Sequence, residues 1–183
     1  YKSYDVKLER VLKGKKKEDV TKKFIQNLKV SGGSGEGIFD TFEKIQENDG
    51  IYTLTVTLTD MAENTETTEV KFTINRFGSV YEYSEYLTNL IADGGQYVKE
   101  LTEDLVITEY NADKLVKDSL SIVVTKDGKP VENAQCDVTP VINDKVSTGN
   151  SGWYQYDYTI HKEDLSTDGV YKIVVSSEDE AGN

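Results

Sequence analysis

Over the eight residues from Tyr52 to Thr59 the chain alternates strictly. Tyr52, Leu54, Val56 and Leu58 fall on one side, and Thr53, Thr55, Thr57 and Thr59 on the other. A period of two in β-branched and aromatic residues describes a half-buried strand and rules out an amphipathic helix. Residues 60–64 break the run with polar turn formers, and Val70, Phe72 and Ile74 then alternate with Glu69, Lys71 and Thr73. A hairpin with a polar tip is predicted. The pattern recurs: DGIYTLTVTLTDMAEN (49–64) returns as DGVYKIVVSSEDEAGN (168–183), an offset of 119 from Asp49 to Asp168. Asp49/Asp168, Gly50/Gly169, Tyr52/Tyr171, Val56/Val175, Asp60/Asp179, Ala62/Ala181 and Asn64/Asn183 are identical. Repetition at this spacing predicts two modules, each large enough for its own core.

The remaining pattern supplies further strands. Tyr4, Val6 and Leu8 alternate with Asp5, Lys7 and Glu9, an opening strand; 20–30, with Phe24, Ile25, Leu28 and Val30, reads as another. Between them lies a charged turn at 13–19, where Lys15, Lys16 and Lys17 run into Glu18 and Asp19 without aromatic interleaving. That is a solvated loop and not an anion site. The SGGSGEG run at 31–37 reads as a flexible loop, since it lacks the Lys and Ser/Thr of a phosphate cradle. Each Asp-Gly pair reads as a turn. The short, partly apolar FGSV at 77–80 marks a semi-rigid boundary, dividing the chain into 1–77 and 78–183.

Beyond the boundary, Tyr83, Tyr86, Leu87, Leu90 and Ile91 recur at three- and four-residue spacing up to Gly94 and Gly95. This predicts one short helix near the start of the second module, packed on the sandwich or the joint. Strands follow at 105–110, at 119–125 with Leu120, Ile122 and Val124 inward, at 131–142 around Cys136, and at 153–160. Turns are read at Asp127, Gly128, Lys129 and Pro130 and at Asn143 and Asp144, and 150–152 precedes the aromatic strand. The first module is either a shorter subtype or cut at its N-terminus. The second lacks the last strand of the first, so its 171–177 strand is expected to offer a free edge to another chain.

A Tyr just after an Asp-Gly pair resembles the tyrosine corner of immunoglobulin-like sandwiches, with Leu54 and Ile173 where antibodies place a Cys. The wider D-G-x-Y-x-φ-x-V-x-x-x-D-x-A-x-N pattern, with FTINRFGSVY after the first copy and WYQYDYTIHKEDL before the second, resembles bacterial immunoglobulin-like domains strung in tandem on Gram-positive cell-surface proteins. The resemblance covers about 38–81 and 105–183. It implies an all-β chain of two tandem immunoglobulin-like β-sandwiches, with Tyr52 and Tyr171 as structural tyrosine corners. It further implies an extracellular, cell-wall-associated structural or adhesive spacer that is not an enzyme. Its partners would be neighbouring modules of the parent chain, a glycan or a host surface protein. Glu63 stands where the second copy has Gly182, so a different turn is expected at the first tip.

Composition narrows the alternatives. Hydrophobic residues make up only 37%, but twelve Tyr with many Thr and Val suit two-layer β structure. A net charge of −12 argues against a nucleic-acid partner, which needs a basic surface. No apolar run is long enough for membrane insertion. Cys136 has no second thiol and reads as packed; His161, without another His or a Cys, reads as a solvated turn residue. No cofactor and no catalytic constellation is expected. A Lys–Asn isopeptide bond would need a buried Lys, Asn and carboxylate, which the pattern does not identify. Two rival functions remain. Trp153, Gln155 and Asp157 share the face opposite Tyr154, Tyr156, Tyr158 and Ile160; an outward Trp beside polar groups is a carbohydrate-stacking platform. Asp60, Glu63 and Glu66 in the first copy, and Glu178, Asp179 and Glu180 in the second, could hold calcium at the tips.

Overall fold

A computed structural model describes residues 2–13, 16–31, 34–92, 98–141 and 152–183, and every pairing among its strands is antiparallel. The chain is all-β, with two compact units: Tyr1–Phe77 with Asp144–Trp153, and Gly78–Asn143 with Tyr154–Asn183. In the first unit, β1 (Ser3–Val11), β2 (Glu18–Asp19), β5 (Gly50–Thr59) and β6 (Thr65–Ile74) form a sheet in the order β2-β1-β5-β6. A second sheet pairs β3 (Ile25–Ser31) with β4 (Ser34–Phe39). Leu8, Val20, Phe24 and Tyr52 form the buried centre, with Ile25, Phe42, Leu54, Phe72 and Ile74 packed around them. The core lies at the Tyr52 end of the hairpin. Farther out, Leu58 and Val70 are exposed, so the expected burial of one whole face holds for only half its length.

In the second unit, β9 (Ser121–Lys126), β10 (Lys129–Pro130) and β13 (Tyr171–Ser176) form a three-stranded sheet in the order β10-β9-β13. The facing sheet is ordered β11-β12-β8-β7 from β7 (Val80–Tyr83), β8 (Leu105–Asn111), β11 (Cys136–Val141) and β12 (Tyr154–Ile160). Tyr156 and Tyr158 of β12, Ile107 of β8 and Val138 of β11 meet Leu120, Ile122 of β9 and Val175 of β13 across the layer. The helix α2 (Glu85–Ala92) forms where the periodicity places it, and Tyr86, Leu87 and Leu90 pack on the core around Leu105, Val124 and Ile160. Tyr83 and Ile91, which share the periodicity, do not: Tyr83 ends β7 and both side chains are exposed.

The pairings make the units comparable. Val6 faces Val56 and Arg10 faces Tyr52 in the first; Ile122 faces Val175 and Lys126 faces Tyr171 in the second. Strand β1 therefore corresponds to β9, and β5 to β13. Among the described residues β5 lies between β1 and β6, whereas β13 pairs with β9 alone.

Several expectations are revised. The 20–30 segment opens with a short helix, α1 (Thr21–Phe24), before extending into β3, because Phe24 turns inward onto Tyr52. Part of the glycine-rich 31–37 run is strand: Ser34 pairs with Ser31 and Gly35 with Val30. Gly50 is not a turn residue but begins β5; a Cβ there would lie 2.8 Å from the Val11 carbonyl oxygen, so close strand approach explains the glycine. The turn expected at Asp127 does form, with Asp127 and Gly128 both at positive φ. Lys15, Gly94, Gly95 and the turn at Asn143 and Asp144 lie outside the described residues.

Candidate functional site

The repeated residues build the same two devices in each unit. At the base of the first hairpin the Tyr52 hydroxyl donates to the Asn48 carbonyl at 2.8 Å; at the base of the second the Tyr171 hydroxyl donates to the Thr167 carbonyl at 2.8 Å. Both bonds reach back four residues. A cation from the neighbouring strand braces each corner: Arg10 donates to the Glu47 carbonyl at 2.9 Å and to Asn48 Oδ1 at 3.4 Å, and Lys126 donates to Thr167 Oγ1 at 2.7 Å. The first corner is the better packed. Tyr52 is fully buried, stacked on Phe72 at 5.3 Å and met edge-on by Phe42 at 5.4 Å, and burial pushes its phenol above the ordinary value. Tyr171 is only half-buried.

The tips match bond for bond. Asp60 Oδ1 accepts the N–H groups of Ala62 (2.8 Å) and Asn64 (2.9 Å), and Oδ2 accepts Asn64 Nδ2 at 2.9 Å. Asp179 Oδ1 accepts Ala181 (3.0 Å) and Asn183 (2.9 Å), and Oδ2 accepts Asn183 Nδ2 at 3.1 Å. The D-x-A-x-N spacing is thus an Asx turn. Glu63 and Gly182 take the same left-handed conformation, φ 70 and φ 83, so the different turn expected at the first tip is not found. Glu63 adopts it at a cost of about 1–2 kcal/mol that a glycine avoids. Hydrogen bonds from the turn hold the Asp60 carboxyl below its ordinary value. Both oxygens of each aspartate are engaged by hydrogen bonds from its turn.

No protein-family model matches this sequence, and no curated relative is found for it. The geometry must carry the functional reading.

The carbohydrate platform does not form. Trp153 is 6% exposed, belongs to the first unit, and donates its indole N–H to the Val11 carbonyl at 3.2 Å. Its position relative to β12 is the reason: the strand begins at Tyr154, after Gly152 at φ 64, so strand alternation does not extend to Trp153. Gln155 and Asp157 remain on β12, where Asp157 Oδ1 accepts Thr108 Oγ1 at 2.8 Å and Gln155 Nε2 at 3.4 Å. Tyr154, expected inward, is exposed, whereas Tyr156, Tyr158 and Ile160 are buried.

Two polar groupings join residues distant in sequence. Glu109 on β8 is fully buried, and its carboxylate accepts hydroxyls from Ser79, Tyr81 (3.1 Å), Ser177 (2.5 Å) and Tyr158. Burial, with the carboxylate beside it, pushes the Tyr158 phenol far above its ordinary range. This acceptor joins both sheets of the second unit. Beside it, buried Asn111 donates to Ser79 Oγ at 3.0 Å and to Asp179 Oδ2 at 2.9 Å. The LxIxExN alternation of β8 signals the grouping, since it puts Glu109 and Asn111 on the inward face with Leu105 and Ile107.

The second grouping centres on His161, which is not a solvated turn residue. Its Nδ1 lies 3.1 Å from Asp104 Oδ2 and its Nε2 lies 3.0 Å from Asp137 Oδ2. Hydrogen bonding to Asp137 first, then to Asp104, raises its pKa. Cys136 is half-buried against the core, and burial pushes its thiol up.

Proposed function

We propose that this chain is a pair of bacterial immunoglobulin-like modules serving as a non-enzymatic structural or adhesive spacer of a cell-surface protein. The observation that carries this reading is duplication of architecture without duplication of chemistry. What the two units share is a corner tyrosine, a bracing cation and an Asx turn, each of which shapes backbone. None presents a free reactive group, and shared parts that serve only to hold a hairpin suit a module whose task is to keep its shape. The partners on this reading are adjoining modules of the same protein. The carbohydrate alternative loses its support with Trp153 buried and its indole bonded to the Val11 carbonyl, and the calcium alternative is weakened by the engagement of Asp60 and Asp179 within their own turns.

Single-molecule stretching between the chain ends tests the proposal. A spacer should resist and then lengthen in discrete, reversible steps of tens of nanometres, since an extended residue spans about 3.5 Å. Gradual extension at low force, without discrete steps, would refute it.

A further inference from the structure

At one end of the second unit, three elements distant in sequence bring together groups that the spacer reading does not use. Asp104 stands at the entry to β8, Asp137 on β11, and His161 and Glu163 follow β12. Ligand atoms of Asp104, His161 and Glu163 lie within 4.8 Å of one another. We propose that these three side chains form a binding site for a divalent transition-metal ion of the zinc type. His161 Nδ1 and one oxygen each from Asp104 and Glu163 supply the ligands.

Three features argue for an ion of this class. The donor set, one imidazole nitrogen with two carboxylates, suits a borderline ion that takes mixed N and O ligands, leaving a fourth tetrahedral position for water. The ligands are also oriented from behind. His161 Nε2 faces Asp137 Oδ2 at 3.0 Å, the carboxylate–histidine arrangement that directs the other ring nitrogen at a metal, while Asp104 Oδ1 accepts the Lys162 backbone N–H at 3.0 Å and so leaves Oδ2 turned to the imidazole. Finally, the charge is unbalanced. Asp104, Asp137 and Glu163 lie about one imidazole, and the adjacent Lys162 spends its ammonium on the Thr102 carbonyl at 3.0 Å. A divalent ion bound at Nδ1 keeps the Asp137 bond and offsets the excess negative charge. Bound there, it would tie the entry of β8 to the end of β12, and through Asp137 to β11. The inference is independent of the spacer proposal and fails or stands separately from it.

The test is a titration of the whole chain with Zn²⁺ against a chromophoric chelator, and with Co²⁺ for its visible ligand-field bands. The expected result is one ion per chain. His161→Ala abolishes it, Glu163→Gln weakens it, and Asp137→Asn, which removes only the orienting acceptor, weakens it by about 10- to 100-fold. Cys136→Ser leaves it unchanged, separating the site from the neighbouring thiol. Amide spectra of each variant establish that β11 and β12 remain folded, so a loss of binding reports on the ligands. No saturable binding at millimolar Zn²⁺, or equal binding by His161→Ala and the parent chain, overturns the proposal.

Discussion

The duplicated corner gives a built-in control, because replacing either tyrosine with phenylalanine deletes one hydroxyl from the same geometry in two different surroundings. At Tyr52 the ring is fully buried, and Asn48, whose carbonyl accepts the hydroxyl, is 2% exposed. With the donor gone, water cannot reach that carbonyl, and a buried acceptor left unpaired costs about 1–3 kcal/mol. The Arg10 guanidinium, 7% exposed and interacting with the phenol oxygen, loses a neighbour as well. The cost of Tyr52→Phe is therefore expected toward the upper part of that range, about 2–3 kcal/mol. At Tyr171 the ring is half-buried and Thr167 is exposed, so water replaces the lost donor. Tyr171→Phe is expected to cost only about 0.5–1 kcal/mol, the net worth of an ordinary hydrogen bond. The ring contacts of Tyr52 with Phe72 and Phe42 survive in both variants, which confines the comparison to the hydroxyl. Urea unfolding followed through amide signals of β5 and of β13 separates the two units. Equal losses, or a smaller loss at Tyr52, would refute the argument that burial of the acceptor sets the cost.

Two further outcomes follow from the same accounting. The Asp60 carboxyl is held below its ordinary value of 3.8 by its turn, so its contribution is complete above the unfolded value and is lost as pH falls through the lower folded value. A carbon-detected titration should find its midpoint below 3.8, with the 60–64 turn loosening in acid before the strands; a midpoint at or above 3.8 would deny the turn's hold on the carboxylate. Glu109→Ala, which strands four hydroxyl donors between the sheets and leaves a void, should cost the second unit about 3 kcal/mol or more, whereas Glu109→Gln keeps an acceptor and should cost about half that. Denaturant midpoints reported by β8 and β12 amides check both, and a neutral Glu109→Ala would mean that the carboxylate does not join the sheets.

Most of the strands were legible because their residues repeat at the period of the strand itself: β1, β5, β6, β8, β9 and β13 fall where alternation puts them. The helix α2 was legible from its three- and four-residue spacing. Misreadings came where a local pattern was extended past its element. Alternation extended to Trp153 puts it outward with Gln155 and Asp157, but the strand starts at Tyr154, and Gly152 redirects the chain. At Glu63 the side chain suggests a change of turn, yet three hydrogen bonds accepted by the Asp60 carboxylate hold the same turn, left-handed at Glu63, in spite of it.

Strand alternation was enough to predict the all-β class and a polar turn at the hairpin tip, because each depends on residues within a few positions of one another. Alternation along β8 puts Glu109 on the inward face, but no spacing names the partners that meet it across the sheets. That Glu109 collects hydroxyls from four places, that the Trp153 indole reaches the Val11 carbonyl, and that His161 stands between Asp104 and Asp137 are consequences of how the sheets and loops pack, since residues so far apart in sequence meet only once burial of the apolar faces has brought their strands together.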